Sequence, residues 1–115
     1  MDAVRRPEQR LRRRSDFAAT MKQGRRARSR LLRLTARENG LPHNRYGFAV
    51  GRRIGGAVVR NRTRRRLREI VHQLPVRPGY DVLITAMDGA ADASFRELTR
   101  DFELSSAKLS LLEQP

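Results

Sequence analysis

The chain contains no cysteine and no tryptophan, and only two of its 26 basic residues, Lys22 and Lys108, are lysines. Without cysteine there is no disulfide and no thiolate metal ligand. Four Phe and two Tyr are too few for the aromatic pattern with which an RNA-recognition motif stacks bases, and Tyr46 and Phe48 alone do not make one. No apolar run approaches the ~20 residues of a membrane span. The basic N-terminus lacks the apolar segment of a signal peptide, so a cytoplasmic protein is expected. Acids are scarce in one part only. Residues 1–70 hold 5 Asp and Glu against 22 Lys and Arg, a net +17, and residues 71–115 hold 7 against 4, a net −3, which together give the overall +14.

The shortage of acids also bears on chemistry. A protein nuclease working with two metals needs several carboxylates converging on the ions. The basic part offers isolated acids, Asp16, Glu38 and Glu69, the last read as an ion-pair partner of Arg65 or Arg66. Asp81, Asp88 and Asp92 could gather near one strand end, but read more simply as turn and cap residues. His43 and His72 have no partner Cys, so a zinc site is not expected. No GxxxxGK[ST] phosphate loop occurs, and Gly51, Gly55 and Gly56 do not form a GxxG clamp.

What is present is one modest core and a great deal of arginine. A length of 115 residues with 38% hydrophobic content suits a single domain, residues 11–113, after a basic tail over 1–10 that is expected to be mobile. The stretch from Tyr46 to Leu74 carries a short apolar strand, a glycine-rich turn and a helix bearing Arg60, Arg62, Arg64, Arg65, Arg66 and Arg68. So many guanidinium groups on one short helix repel each other unless a polyanion lies against them. Helices that lie on membranes pair their charges with an apolar face of Trp, Phe and Leu. This helix has neither Trp nor Phe, which favours nucleic acid over a membrane. Arginine in place of lysine suits both GC-rich coding and bidentate phosphate binding.

Local patterns place the elements. A short helix is expected with Ser15 or Asp16 as its cap, Phe17 and Met21 on one face, and Gly24 at its end. Residues 25–29 are a short strand or a loop. Residues 30–37 read as a strand with Leu32, Leu34 and Ala36 on one face and Leu31, Arg33, Thr35 and Arg37 on the other. Asn39-Gly40 and Pro42 mark a turn. In the strand 45–51, Tyr46, Phe48 and Val50 alternate with Gly47, Ala49 and Gly51. That nearly bare second face suits either tight packing under a helix or the floor of a groove. On the helix 57–74, Val59, Thr63, Leu67, Ile70 and Leu74 form an apolar stripe. Asn61, Arg65, Arg68 and His72 lie opposite, flanked by Arg62 and Arg64. Residues 80–86 read as a buried strand. Ser94-Phe95-Arg96-Glu97 is a capping box that opens a structural helix with Phe95, Leu98, Phe102, Ser105, Leu109 and Leu112 on one stripe.

The run Arg52-Arg53-Ile54-Gly55, then Ala57-Val58-Val59-Arg60-Asn61-Arg62, Arg64-Arg65 and Arg68-Glu69 resembles the signature of the bacterial ribonuclease P protein family. The resemblance covers roughly residues 10 to 112. It implies an α+β, two-layer α-β-β-β-α-β-α sandwich with a left-handed βαβ crossover, like the second domain of the fifth small-subunit ribosomal protein. It also implies a ribonucleoprotein endonuclease, ribonuclease P, whose RNA subunit is the catalyst and removes the 5′ leader of precursor tRNA. The Mg²⁺ ions would be held mainly by the RNA and the substrate. No catalytic or metal residue is then expected in the protein. Its partners would be the catalytic RNA and precursor tRNA, with no membrane and no obligate protein partner. Carried onto matching positions, Arg52, Arg53, Arg60, Asn61, Arg62, Arg64, Arg65 and Arg68 would face RNA. Phe17, Met21, Arg30, Arg33 and Thr35 would line the leader cleft. Met21 and Thr35 stand where aromatics are common, Gly56 where Asn is frequent, and Met87 where a basic residue often follows the late strand. The cleft would then grip the leader less by stacking and more by charge. A ribosomal or ribosome-assembly RNA-binding protein is the alternative. A DNA-binding regulator is disfavoured, because a strand rather than a helix precedes the arginine helix.

Overall fold

A computed structural model describes residues 9–113 of the chain. The expected tail over residues 1–10 lies outside that range except for Gln9–Arg10, which form a short edge strand, β1. Then follow α1 (Arg14–Gln23), β2 (Arg25–Arg28), β3 (Leu32–Glu38), β4 (Arg45–Ala49), a 3-10 turn (Arg52–Ile54), α2 (Ala57–Gln73), β5 (Tyr80–Ala86) and α3 (Phe95–Lys108). After β1 the order is the expected α-β-β-β-α-β-α.

The sheet runs β1-β4-β5-β3-β2. β4 and β5 are parallel and joined through α2, whereas β3 is antiparallel to both β5 and β2. Strand alternation gives the sheet two different faces. Leu32, Leu34, Ala36, Tyr46, Val82 and Ile84 pack with Leu67, Ile70 and Val71 of α2 and Leu98 and Phe102 of α3 in one core. This is the two-layer sandwich. α1 lies across the opposite face, against β3 and β5, and covers part of it as a third layer.

Several local expectations change in detail. α1 begins at Arg14 with Arg13 as its N-cap, and no side chain caps it. Ser15 and Asp16 fall inside the first turn, and the Asp16 carboxylate is engaged by arginines of the sheet rather than by the helix end. Gly24 does end α1, with φ of −72° rather than a left-handed turn. A Cβ there would stand 2.5 Å from the Thr20 carbonyl oxygen and 2.8 Å from Thr35 Cγ2, so close packing explains the glycine. The capping box forms as read: Ser94 Oγ accepts from the Glu97 backbone N–H at 3.0 Å, and Glu97 Oε1 accepts from that of Ser94 at 2.8 Å. α3 is also pinned to the β2–β3 connection. The buried Asp101 carboxylate accepts from the Leu31 N–H at 3.0 Å and from the Ser29 hydroxyl.

Candidate nucleic-acid interface

Two glycines deliver the chain from β4 into α2. Gly55 has φ of +157°, and a Cβ on it would meet the Val59 side chain at 2.8 Å. Gly56 is the N-cap and supplies no side-chain bond, so the N-terminal turn of the helix is left open and cationic. The helix then buries Thr63, Leu67, Ile70 and Val71. Thr63 is reconciled with its apolar surroundings by donating its hydroxyl to the Val59 carbonyl at 2.9 Å. With that stripe fixed inward, Asn61 and Arg65 are exposed, while Arg60, Arg62, Arg64 and Arg68 are half-buried along their stems.

Among the described residues, no arginine of α2 is paired with a carboxylate; every arginine ion pair involves Arg30, Arg37, Arg45 or Arg53. Arg64 donates to Asn61 Oδ1 at 3.0 Å. Arg66 turns to the Ala93 carbonyl at 3.2 Å, bridging α2 to the start of α3. Glu69, expected to pair with Arg65 or Arg66, instead accepts from Gln73 one turn further along its own row, at 3.2 Å. Beside the helix, Arg52 and Arg53 are exposed, and Arg53 meets Asp88 at 2.7 Å.

The opposite face of the sheet is ordered by charge. Asp81, with no exposed side-chain surface, accepts Arg45 Nε and Nη2 at 2.7 Å each, Arg37 Nη2 at 2.9 Å and Asn39 Nδ2 at 3.0 Å. Burial pushes its carboxyl upward, but the hydrogen bonds from Arg45, Asn39 and Arg37, with the Arg45 charge, outweigh burial and hold it below the usual carboxylate value. Asp16 of α1 joins this cluster through Arg45 at 3.1 Å and Arg37 at 3.7 Å. The helix is thereby set against the sheet, and the Phe17 ring lies over Gly47, where a Cβ would come within 2.9 Å of it. At Gly47, then, the bare backbone serves helix packing.

Of the residues carried to the leader cleft, Phe17, Met21 and Arg33 lie half-buried on this side. Thr35 is fully buried, because the end of α1 at Gly24 closes over it, and it offers no surface to a ligand. Arg30 reaches Glu97 at 3.4 Å, at the start of α3 beyond the other face of the sheet, so it does not join Phe17 and Met21. Strand register adds Arg28 and Thr85, which the sequence analysis does not name, to Arg33 and Ala49, which it does. Arg28, Arg33, Thr85 and Ala49 stand side by side across four strands, one row beyond Gly47. Arg28 and Ala49 are exposed there, and Arg33 and Thr85 half-buried. No local motif marks Arg28 or Thr85; only long-range pairing brings them into one row.

The carboxylates do not converge. Asp81 stands at the start of β5 and Asp88 beyond its end. Asp81 is fully engaged by its own neighbours, and among the described residues no group of three His, Asp or Glu could hold a metal ion. No helix among the described residues is long and apolar enough to cross a membrane.

Comparison with known proteins identifies the family and the fold. The family model described as Ribonuclease P matches residues 6–110. The ribonuclease P protein component of Acidothermus cellulolyticus is 45% identical over 105 residues, covering 88% of each chain. That of Streptomyces bikiniensis is 41% identical over 115 residues, covering 89% of this chain and 92% of the relative. The solved structure of the Staphylococcus aureus RNase P protein superposes with a TM-score of 0.81, covering 90% of this chain and 97% of that one; at 24% identity this likeness speaks for the fold alone. An arginine helix without carboxylate partners, the strand order around it and these relatives lead to one assignment: the chain belongs to the family of bacterial ribonuclease P protein components, the protein part of a ribonucleoprotein enzyme of tRNA processing.

Proposed function

We propose that the chain holds the catalytic RNA of ribonuclease P with the arginine face of α2, and the 5′ leader of precursor tRNA with the sheet face beside α1, in the cytoplasm. Cleavage belongs to the RNA, with Mg²⁺ held by RNA and substrate. The protein supplies positive charge that offsets repulsion between two polyanions. The observation that carries the reading is the set of α2 guanidinium groups with no carboxylate partner among the described residues. Elsewhere in the fold Arg30, Arg37, Arg45 and Arg53 are matched with acids, while others such as Arg28 and Arg33 are not; what sets α2 apart is that six guanidinium groups stand along one helix with none of them paired to an acid. Arg52, Arg60, Asn61, Arg62, Arg64, Arg65 and Arg68 form the RNA surface, with Arg53 joining once it leaves Asp88.

For the leader, Phe17 and Met21 form one wall, Ala49 and Thr85 a low floor, and Arg33 and Arg28 a cationic margin. An extended single strand of mixed sequence fits such a surface, bases toward the apolar wall and phosphates toward the guanidinium groups. Thr35 and Arg30 take no part, being buried and across the sheet respectively.

The test is a pair of variants. Arg62→Ala with Arg65→Ala removes two outward guanidinium groups and should impair holoenzyme assembly while leaving the thermal melt unchanged. Leu67→Asp buries an unpaired charge in the core and should unfold the domain. A double arginine variant that assembles with the RNA like the parent sinks the assignment of α2. For the leader, Met21→Phe adds a stacking ring and should tighten leader-bearing precursor with little effect on mature tRNA; equal effects on both would remove Met21 from the site.

A further inference from the structure

The arginines of the proposed RNA surface are not held alike. Arg64 has a donor on Asn61, and Arg53 has one on Asp88. Arg66, on the same helix, has one on the Ala93 carbonyl. Each of these contacts orients a guanidinium group by occupying an N–H that a phosphate would otherwise accept from. Arg68 is held differently. Its Cζ lies 5.6 Å from the centroid of the Phe48 ring, and it makes no hydrogen bond or ion pair to another described residue. The cation stands over the ring face, a contact that occupies none of its N–H groups.

The ring is itself fixed from below. Phe48 stacks on Tyr46, two residues earlier on the same side of β4, with centroids 6.4 Å apart and planes 19° from parallel. Tyr46 is buried, and its hydroxyl accepts from Asn44 Nδ2 at 3.1 Å. Asn44 in turn accepts the Tyr80 N–H at 2.8 Å at the start of β5. A column of contacts thus runs from the sheet through two rings to the surface at Arg68.

We infer that Phe48 is a positioning residue for RNA binding: its ring sets the Arg68 guanidinium in place with its donors unoccupied, ready for a phosphate or for a base stacked on its outer face. The inference rests on the proposed role of the α2 face. A free arginine loses much rotamer freedom when it docks, and a group already held over a ring loses less. The loss on removing the ring is then the worth of an exposed cation–π contact, about two- to fivefold in affinity.

The experiment measures binding of the matching ribonuclease P RNA by the full-length protein at fixed salt, with thermal melts alongside. Phe48→Leu should bind about two- to fivefold more weakly. Phe48→Tyr, which keeps the ring, should restore parental binding, and a merely structural role for Phe48 would not produce that rescue together with the coupling that follows. Phe48→Leu should have no further effect in an Arg68→Ala background, because the group it positions is gone. Parental binding by folded Phe48→Leu, or a full additional loss in the Arg68→Ala background, overturns the inference. Should Phe48→Leu fail to fold, Phe48→Met removes the ring with a more adaptable side chain; parental binding by that folded variant overturns it equally. If instead the Arg62→Ala, Arg65→Ala protein binds RNA normally, it is the reading of the whole helix that has failed.

Discussion

Replacing Asp81 with alanine takes one carboxylate from beneath α1 and leaves two arginines without their principal partner. Asp81 accepts four hydrogen bonds from Arg45, Arg37 and Asn39, residues that lie on β4, on β3 and just after β3, while Asp81 itself lies on β5. The arginine side chains are 19% and 22% exposed, so they keep a narrow route to water and the weaker contact with Asp16. Breaking a buried pair by deleting one partner costs about 3–5 kcal/mol, and the residual solvation places this case near 3. A domain of this size has a total stability of about 5–15 kcal/mol. With an unfolding entropy of ~2.1 cal/mol/K per residue, 1 kcal/mol corresponds to about 4 °C, so the melting temperature should fall by about 12 °C or more. Thermal unfolding followed by circular dichroism measures it. Asp16→Ala is the control: its pair is partly exposed, and a drop of only a few degrees is expected. An Asp81→Ala protein melting within about 4 °C of the parent would refute the claim that this cluster joins the central strands. The same carboxylate sets the acid limb. Its folded pKa is depressed, so its contribution is fully present above the unfolded value near 3.9 and is lost as pH falls through the lower folded value.

RNA binding should weaken steeply with salt, and the log–log slope should shrink by about 1.5 units in the Arg62→Ala, Arg65→Ala protein, since each phosphate contact contributes ~0.7–0.9; an unchanged slope would place the phosphates elsewhere. Gly47→Ala puts a methyl 2.9 Å from the Phe17 ring and should cost about 1–3 kcal/mol by overpacking, read in a denaturant titration, with the loss recovered by Phe17→Leu; an unchanged midpoint would mean that α1 is not seated on the glycine. Asp88→Asn releases Arg53 from its exposed pair and should tighten RNA binding about two- to fivefold at low salt, an effect absent in an Arg53→Ala background; equal affinity would leave Arg53 outside the interface.

Features read correctly from the sequence are those carried by adjacent residues. The capping box at Ser94 and Glu97 needs a spacing of three, the stripe through Thr63, Leu67 and Ile70 needs helical periodicity, and Tyr80–Ala86 needs an apolar run between breakers. What stayed hidden depends on partners far along the chain. The burial of Thr35 follows from the end of α1 packing on β3. Arg30 was grouped with Phe17 by resemblance, yet lies near Glu97, 67 residues away. Asp16 looked like a helix cap because nothing local announces Arg45, 29 residues later. The row of Arg28, Arg33, Thr85 and Ala49 exists only once four strands have found their register. Gly47 carried both a packing and a groove reading, and only the position of the Phe17 ring decides between them.

α1 contributes a single fully buried side chain, Thr20, and none of its residues belongs to the central hydrophobic cluster. Its attachment rests on one aromatic ring over a glycine, the buried Thr20 and the Gly24 end packed on β3, the hydrogen bond from Arg26 to the Met21 carbonyl, and the Asp16 pairs. Elements with so little buried apolar area open at free energies well below that of global unfolding. The amides of α1 should accordingly exchange with solvent hydrogen long before those of α2 and β5. The wall of the proposed leader groove should therefore lift before α2 and β5, while the arginine helix and its core stay shut.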